Sequence, residues 1–344
     1  MKKPIVTVLM PVYNGEEYLK EAIDGVLNQT FTDFEFFILN DGSTDNGENI
    51  IKSYTDPRIK LINSDKNRGQ AEIINEALDI VQSKYVVRVD CDDICLPKRL
   101  QTQVDFMDKN PEIGISGTWA KVMGKQTKKY IKPPSDFEKI KVTMLFNTAM
   151  MQPSTIMRRE MLDKYNLRYD KTFKYSGDYE FWTRAIQYFP ITNIKKVLFL
   201  YRMHEKSVSN LYSDIQKQNS LKNKLNQLKK INVIPSEEEL IIHQNIYKPI
   251  EYKIDDFLNQ TETWLVKLIN QNKKIKYCEE LQFSEIISKR WLKVCNINAN
   301  YNLKIFKRFW DSILRKKLNW FDLGNWKNLT RFFLKCLFKK TIAE

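Results

Sequence analysis

The chain has 344 residues, of which 42 % are hydrophobic and 12 % aromatic, so it can form one large domain or two ordinary ones. This composition excludes an intrinsically disordered chain, and the presence of only 10 Gly and 11 Pro excludes a collagen-like one. The net charge of +14 indicates an anionic partner. The five Cys are scattered, which indicates a reducing compartment. With only two His and no clustered Cys, an ordinary zinc site is not expected.

Strand and helix patterns alternate over the first part of the chain. Apolar runs rich in β-branched or aromatic residues predict strands at 5–10, 34–39, 59–62 and 85–89. Apolar residues at three-to-four spacing predict helices at 16–29, 45–55, 70–82 and 97–109, the last with Pro97 at its first position. This alternation implies βαβ units in a mainly parallel sheet covered by helices on both faces. Because ligands of such sheets bind beyond the carboxyl ends of the strands, we expect the functional site there.

The sharpest motif follows the fourth predicted strand. Asp90 and Asp92 lie two residues apart after an apolar run, and both can reach one ligand if the chain turns there. Hard divalent cations such as Mg²⁺ or Mn²⁺ prefer oxygen ligands and keep positions open for phosphates. The alternative is that Asp92 or Asp93 caps the helix predicted to begin near Pro97. The polar loops that follow the other strands favour the metal site.

Other polar segments have both a structural and a functional interpretation. Asp41 either begins a turn or accepts hydrogen bonds from a nucleobase or a ribose. Asp178 either caps a helix or acts as a general base, and Trp182, one turn later, offers an apolar face to a sugar ring. His204 is either a packing residue or a further contact to metal or phosphate. The absence of glycine-rich nucleotide fingerprints argues against a dinucleotide oxidoreductase and a P-loop NTPase.

In chain order these motifs resemble the family 2 glycosyltransferases, which have the GT-A fold. The resemblance covers roughly residues 4–210 and depends on eight segments, at 8–15, 40–45, 67–69, 90–93, 96–100, 152–154, 178–182 and 201–204. It implies an α/β fold with a Rossmann-like, mostly parallel sheet and helices on both faces. It also implies a catalytic domain at 1–210, with nucleotide-sugar binding at about 1–110 and the acceptor side at about 111–210. The family pattern does not cover residues 211–344, where apolar residues at helical spacing predict a basic, helical C-terminal region.

The resemblance further implies the reaction. Members of this family move a sugar, usually from a UDP-linked donor, to an acceptor hydroxyl with inversion, using Mn²⁺ or Mg²⁺. We therefore expect a hexosyltransferase of bacterial surface polysaccharide synthesis, for example of capsule, lipopolysaccharide or lipooligosaccharide. Its acceptor is expected to be a glycan or a lipid-linked glycan.

The expected site residues occupy matching positions of the family motifs. Asp178 matches the catalytic base, and Asp92 matches the direct metal ligand. Asp90 matches the residue that holds ribose and metal, and His204 matches a contact to the metal or diphosphate. Trp182 is expected on the acceptor side. The positions expected to bind the donor nucleotide are Pro11, Tyr13, Asn14, Asp41, Arg68 and Asp90.

Three positions depart from the family pattern. Asn40 stands where the family often has a second acid, Gln152 where it often has His, and Gly177 where it usually has Glu. Gly177 leaves no helper acid beside Asp178, which puts the usual acceptor contact in doubt. The metal ligands and the base remain, so we expect an active enzyme. The alternative is a transferase-like scaffold that binds the donor without turning it over.

Most of the positive charge lies in the C-terminal third. Residues 211–344 contain 25 Lys and Arg against 14 acidic residues, and residues 301–344 alone contain 11 against 3. The aromatic and basic helical patterns there indicate either a peripheral anchor on an anionic membrane or helices packed on the protein with solvated basic faces. Without a signal peptide or a spanning segment, we expect a cytoplasmic enzyme, peripheral on the inner face of the cell membrane. A nucleic-acid-binding protein is disfavoured because the excess charge avoids the half that carries the motifs.

Overall fold

The computed structural model describes residues 3–124, 129–205, 207, 211–246, 248–249, 254–299 and 303–338. The chain divides into two compact units, one comprising residues 1–140 and 147–223, the other residues 141–146 and 224–344. The described strands all belong to the first unit, whereas helices predominate in the second.

Strands of the first unit form one mixed sheet, which has nine strands in the described ranges. They are β1 (Val6–Val12), β2 (Phe34–Asn40), β3 (Ile59–Asn63), β4 (Tyr85–Arg88), β5 (Ile94–Cys95), β6 (Ile115–Met123), β7 (Tyr130–Ile131), β8 (Ile156–Arg158) and β9 (Ile191–Arg202). Their order is β3-β2-β1-β4-β8-β6-β9-β5, with β7 paired to β6. Strands β3, β2, β1 and β4 are parallel to one another, so their carboxyl ends meet at one edge. Strand β8 is antiparallel to both β4 and β6.

Helices follow most of these strands. They are α1 (Glu16–Leu27), α2 (Gly47–Lys52), α3 (Gln70–Ile80), α4 (Arg99–Lys109), α5 (Phe137–Met144), α6 (Arg159–Lys164), α7 (Gly177–Ala185) and α8 (Ser213–Lys230). Every residue of β1 is buried, and α1 buries Leu19, Ala22, Ile23 and Val26 at three-to-four spacing. Burial of whole strands is what a parallel sheet covered on both faces requires. The expected GT-A type α/β sheet followed by a helical C-terminal region is therefore confirmed.

The start of the fourth predicted helix lies two residues later than expected. Helix α4 begins at Arg99 rather than at Pro97, and Lys98 is its N-cap residue. The Pro97 carbonyl accepts the backbone N–H of Thr30 at 2.9 Å instead. Because α4 starts this late, neither Asp92 nor Asp93 caps it.

The second unit is a helical assembly around aromatic side chains. Its further helices are α9 (Glu237–Asn245), α10 (Ile254–Ile275), α11 (Glu280–Ile297), α12 (Leu303–Asp311) and α13 (Leu323–Leu337), with a short 3₁₀ turn at Arg315–Lys317. Trp264, Phe283 and Trp291 are fully buried in its core. In the described residues, no helix is long and apolar enough to cross a membrane.

A histidine supplies a polar contact in this core. The His243 ring accepts the indole N–H of Trp264 at Nδ1, with 3.2 Å between the nitrogens. Its Nε2 therefore carries the proton and donates to the Leu145 carbonyl at 2.9 Å. Burial lowers the pKa of His243 to about 3, so the ring is neutral at physiological pH.

Helices α12 and α13 carry more than one apolar stripe. The sequence predicts one apolar side in a helix here, formed by Ile305, Phe306, Phe309, Trp310 and Ile313. In the structure Ile305 and Phe309 are buried, whereas Trp310 is exposed and Ile313 lies beyond the end of α12. On α13, Leu329 and Phe332 are buried, while Phe333 and Leu337 are exposed. Residues 301–302 and 339–344 of this basic segment lie outside the described residues.

Candidate active site

The loops after β1 and β2 are joined by reciprocal hydrogen bonds. The Asp45 carboxylate accepts the backbone N–H groups of Glu16 at 2.9 Å and Gly47 at 3.0 Å, the first residues of α1 and α2. The Glu16 carboxylate accepts in return the backbone N–H of Asn46 at 2.8 Å. These acids satisfy N–H groups that have no partner within their own helices, which couples the two loops.

The β1 loop carries three of the expected nucleotide-binding residues. Pro11 is buried within β1, and Tyr13, just beyond the strand, is 48 % exposed. The Asn14 side chain accepts the backbone N–H of Thr44 at 2.8 Å, and the Asn14 backbone N–H donates to Ser43 Oγ at 3.1 Å. Asn14 adopts a φ of 50°, in the left-handed region that Asn tolerates better than most residues. The loop thus presents an exposed aromatic ring from a fixed backbone.

Asp41 fixes the loop that precedes α3. Its carboxylate is buried and accepts the backbone N–H groups of Arg68 at 2.9 Å and Gly69 at 2.8 Å. Gly42 follows with a φ of 69°, and a Cβ there would lie 2.5 Å from the Lys66 carbonyl carbon, so only glycine fits. Each carboxylate oxygen has a second lone pair, so Asp41 retains capacity for a ligand.

The Arg68 side chain is already paired with neighbouring acids. Its guanidinium bonds the Glu76 carboxylate at 2.5 and 2.6 Å and donates to Ser64 Oγ at 3.0 Å. Glu72 lies 3.5 Å from the same group. The hydrogen bonds with Glu76 raise the pKa of Arg68, and the positive charge there is largely balanced.

Three carboxylates meet immediately after β4. Ligand oxygens of Asp90, Asp92 and Asp93 all lie within 4.8 Å of one another. Burial raises the pKa of Asp90 to about 6, while the Arg88 guanidinium, 3.4 Å away, lowers it. Burial and the two neighbouring acids raise the pKa of Asp93 well above its usual range. Among the described residues, the buried Asp93 Oδ2 has no hydrogen-bond partner. A divalent cation fits this donor set, because it would neutralise acids that now repel one another.

The end of β9 brings His204 to this acidic group. His204 Nε2 lies 2.9 Å from Asp92 Oδ2. This contact is a hydrogen bond that holds the His204 ring beside one of the three acids. Arg202 anchors the segment: its backbone N–H donates to Asp93 Oδ1, and its Nε donates to the Asp92 carbonyl, both at 2.8 Å.

Asp178 lies in the first turn of α7 and close to the same acids. Burial raises its pKa, and the backbone N–H groups of Tyr179 and Asp178 itself act in the opposite direction. The Asp178 charge also raises the pKa of Asp90. Burial raises the pKa of Tyr169, with smaller contributions from both carboxylates. The charge of Asp178 is thus near enough to act on Asp90.

Trp182 does not present its face to a ligand. It is fully buried and stands edge-on to Phe181, with 5.2 Å between the ring centroids. Helix α7 buries five consecutive residues from Tyr179 to Thr183, so it is covered on nearly all sides. The four-residue spacing from Asp178 placed Trp182 on the same helix face but could not show that this side chain points into the core. We assign it no direct contact with an acceptor.

Sequence reasoning missed the residues that frame the site. Asp93 lies in the matching segment 90–93, but the sequence gives it no role other than a possible helix cap. Arg202 lies inside the matching segment 201–204, and the sequence gives it no role either. Tyr175 stacks on Tyr212 with 4.1 Å between centroids and 6° between planes, three residues before Asp178. Tyr175 also has a φ of 60°, which is strained for an aromatic residue. No local pattern in the sequence signals this pair.

The comparisons with known sequences agree with this geometry. A family model described as Glycosyl transferase family 2 matches residues 7–166. An uncharacterized glycosyltransferase of Methanocaldococcus jannaschii is 35 % identical over 226 residues, which cover 63 % of this chain and 77 % of that protein. Another from Haemophilus influenzae is 30 % identical over 231 residues, covering 64 % of this chain and 72 % of that protein.

Solved structures show the same fold at low identity. The crystal structure of S. aureus TarS 1-349 in complex with UDP-GlcNAc is 16 % identical, covers 100 % of this chain and 95 % of its own, and gives a TM-score of 0.55. The mannosyltransferase PcManGT from Pyrobaculum calidifontis, in complex with GDP-Man and Mn²⁺, is 16 % identical, covers 99 % of this chain and 89 % of its own, and gives 0.53. From its sequence relatives, its sheet and the acidic group after β4, the chain belongs to glycosyltransferase family 2 and is an enzyme of this family with the GT-A fold.

Proposed function

We propose that this enzyme transfers a sugar from a UDP-sugar to an acceptor hydroxyl with inversion, in the synthesis of a bacterial surface polysaccharide or lipooligosaccharide. The observation that carries the proposal is the acidic group Asp90, Asp92 and Asp93 beside Asp178, at the strand edge where the loops of β1 and β2 meet. The solved complexes of fold relatives with UDP-GlcNAc and with GDP-Man support a nucleotide-sugar donor.

Asp92 is the proposed direct ligand of Mn²⁺ or Mg²⁺, with Asp90 and His204 beside it. When bound, the ion would stabilise the negative charge that develops on the leaving diphosphate. Arg202 keeps the His204 segment against Asp92 and Asp93 through its backbone and side-chain hydrogen bonds. The protein thus holds these donors in place before the substrate arrives.

Asp178 is the proposed base that takes the proton of the acceptor hydroxyl. Its burial favours the protonated form and raises its proton affinity, as a base at this step requires. Inversion needs one carboxylate opposite the leaving group, and Asp178 is separate in sequence from the proposed metal ligands. This divides the acids between two tasks.

The donor nucleotide is proposed to lie against the loops after β1, β2 and β3. Pro11, Tyr13 and Asn14 shape one wall, and Asp41 accepts from the nucleoside with its remaining lone pairs. Arg68 frames the far side through its backbone and its bonds to Glu76.

The catalytic domain is proposed to span residues 1–210. Residues 211–344 are proposed to form a basic helical region that places the enzyme at the inner face of a membrane, close to a glycan or lipid-linked glycan acceptor. Residues 211–344 contain 25 basic and 14 acidic residues, and this positive charge supports the proposed location.

The proposal is tested by UDP release from a panel of UDP-sugars with Mn²⁺, using the full chain. Asp178→Asn should lower the turnover rate by about 10²–10⁴-fold and leave the Kd for UDP unchanged, because the base acts only in the chemical step. Asp92→Asn should weaken Mn²⁺-dependent binding of UDP as well. Asp105→Asn, on the exposed side of α4, is the matched control. Full activity in both site variants would overturn the proposal, whereas donor binding by the wild-type chain without turnover on any acceptor extract would indicate a scaffold.

A further inference from the structure

Helix α13 has an exposed apolar stripe in addition to the buried one. Leu329, Phe332 and Cys336 pack into the core of the second unit. A helix turns by about 100° per residue, which places a second set of apolar side chains about 120° around the axis from the first. That second set is Leu323, Trp326, Phe333, Leu334 and Leu337, with exposed fractions of 36 to 82 %.

The next face of the same helix is basic. Lys327 and Arg331 are exposed and one turn apart on the side beyond the exposed stripe. Over residues 303–338 the chain has nine Lys and Arg but only two acids, Asp311 and Asp322. Asp322 is paired with Lys289 at 2.7 Å, so little negative charge offsets the basic side.

Ring contacts extend the exposed stripe onto the preceding segment. The Arg315 guanidinium lies 4.5 Å from the Trp310 ring and 6.0 Å from Trp320, whose ring is 5.3 Å from that of Trp326. Phe321, between these tryptophans, is 98 % exposed, more than any other large apolar residue among those described. We call this set of exposed residues the terminal surface; it consists of Trp310, Phe321, Leu323, Trp326, Phe333 and Leu337, together with the basic residues Arg315, Lys327 and Arg331.

We infer that the terminal surface inserts into the headgroup layer of an anionic lipid bilayer, with Phe321 and Leu323 entering deepest. Exposed Trp, Phe and Leu beside a row of cations suit the boundary between acyl chains and negatively charged headgroups. A symmetric contact between two copies would bring the same basic rows together, which charge complementarity disfavours. The inference rests on the membrane location in the proposed function and names the residues that make the contact.

The test is flotation of the full-length protein with vesicles of phosphatidylcholine alone or with phosphatidylglycerol. Binding should require phosphatidylglycerol and weaken as salt is raised. Phe321→Ser with Leu323→Ser should lower the partition coefficient by at least about tenfold, since each buried apolar group contributes to insertion. Lys327→Gln with Arg331→Gln should lower it by about tenfold or more through lost attraction to the anionic lipid.

The matched control is Ile234→Ser with Leu281→Ser, which removes two other highly exposed apolar residues of the same unit, at 84 and 77 % exposure. Vesicle binding should be unchanged in this control. The inference is overturned if the wild-type protein does not float with phosphatidylglycerol vesicles, or if the Phe321 and Leu323 variant floats as well as the control. It is also overturned if sedimentation shows a dimer that this variant abolishes, because the surface would then join two copies.

Catalysis in solution separates this inference from the proposed reaction. The Phe321 and Leu323 variant should retain Mn²⁺-dependent UDP release with a soluble acceptor, because the two residues lie in neither the acidic group nor the donor loops. Loss of vesicle binding with retained UDP release supports the terminal surface. Vesicle binding without UDP release in the wild-type protein would overturn the reaction and leave the terminal surface standing.

Discussion

At the scale of single residues, the buried His243 side chain limits the stability of the folded chain at low pH. Its Nδ1 already accepts the Trp264 N–H, so a second proton on the ring would place two donors against each other. The Leu145 carbonyl can accept only from Nε2 and gives no relief at Nδ1. The ring must therefore stay neutral while the chain is folded.

This predicts a loss of stability as the pH falls. The pKa of His243 is about 3 in the folded chain against an ordinary value near 6.5, so between these values the unfolded chain binds a proton that the folded chain does not. The free energy of unfolding is therefore unaffected by this group above about pH 6.5 and declines by about 1.4 kcal/mol per pH unit below it. Urea unfolding of wild type and His243→Gln between pH 7 and pH 4 measures it, because Gln does not titrate. Equal pH slopes in the two proteins would contradict the assignment.

The acids of the candidate site illustrate a different use of burial. Asp90 and Asp93 have raised pKa values because they are desolvated and lie near each other. The Asp41 carboxylate instead accepts hydrogen bonds from two backbone N–H groups. Both arrangements follow turn-rich segments in the sequence. Only the structure separates an acid that organises a loop from acids that face one another.

At the scale of secondary-structure elements, replacing a glycine by alanine should have opposite effects on stability at two positions. Gly177 opens α7 outside the left-handed region, and a Cβ there would meet only Tyr169 Cδ1 at 4.0 Å. Gly114 precedes β6, and a Cβ there would lie 2.2 Å from a ring carbon of the buried Phe189. Space is available at the first position and absent at the second.

Gly177→Ala should therefore stabilise the protein by about 0.4–1 kcal/mol, because Ala restricts the unfolded chain without a clash. Gly114→Ala should destabilise it by about 1–3 kcal/mol, because the Phe189 ring must move within a packed core. Urea midpoints of the two variants provide the comparison. A destabilised Gly177→Ala protein would show that the helix start is more crowded than the structure indicates.

The elements themselves were largely predictable, and the reasons differ between the halves of the chain. Strands β1 to β4 are apolar runs closed by turn residues, and the prediction placed each within a few residues of its observed bounds. The loops that follow them converge because parallel strands end at a common edge. The orientation of Trp182 and the two stripes of α13 were not predictable, since they depend on what packs against each helix face. The family resemblance, and not its surroundings in the sequence, singled out His204, which contacts Asp92 in the structure.

At the scale of the whole molecule, the chemistry of the thiols distinguishes the folded chain from the unfolded one. All five cysteines are free; Cys91 is half-buried and the other four are buried. Burial raises the pKa of the Cys91 thiol, with Asp92 and Asp90 adding to the shift, so even this side chain is a poor nucleophile.

The native protein should react slowly with a thiol reagent such as DTNB, and at no more than Cys91, whereas the denatured protein should release five equivalents. Reducing agent should leave the melting temperature unchanged, because no disulfide is broken. Cys91→Ser is the control that should remove the slow native reaction. Rapid labelling of several native thiols would show that the second unit, with three of these cysteines, opens readily.

The distribution of charge also belongs to this scale. The acids that face the proposed metal lie in the first unit, while the greater part of the basic excess lies in residues 211–344. The net charge of +14 thus comes from a nearly balanced segment, residues 1–210, and a strongly basic one, residues 211–344.

The exchange of hydrogen bonds between Asp45 and Glu16 bears on how this chain can be recombined with its relatives. Asp45, in the loop after β2, accepts a backbone N–H at the start of α1, and Glu16 accepts one at the start of α2. Residues 13–16 and 43–47 should therefore be exchanged together, although they are separate in sequence. A chimera that exchanges one loop alone leaves a carboxylate facing N–H groups it does not fit. Exchange of both loops together keeps these hydrogen bonds intact.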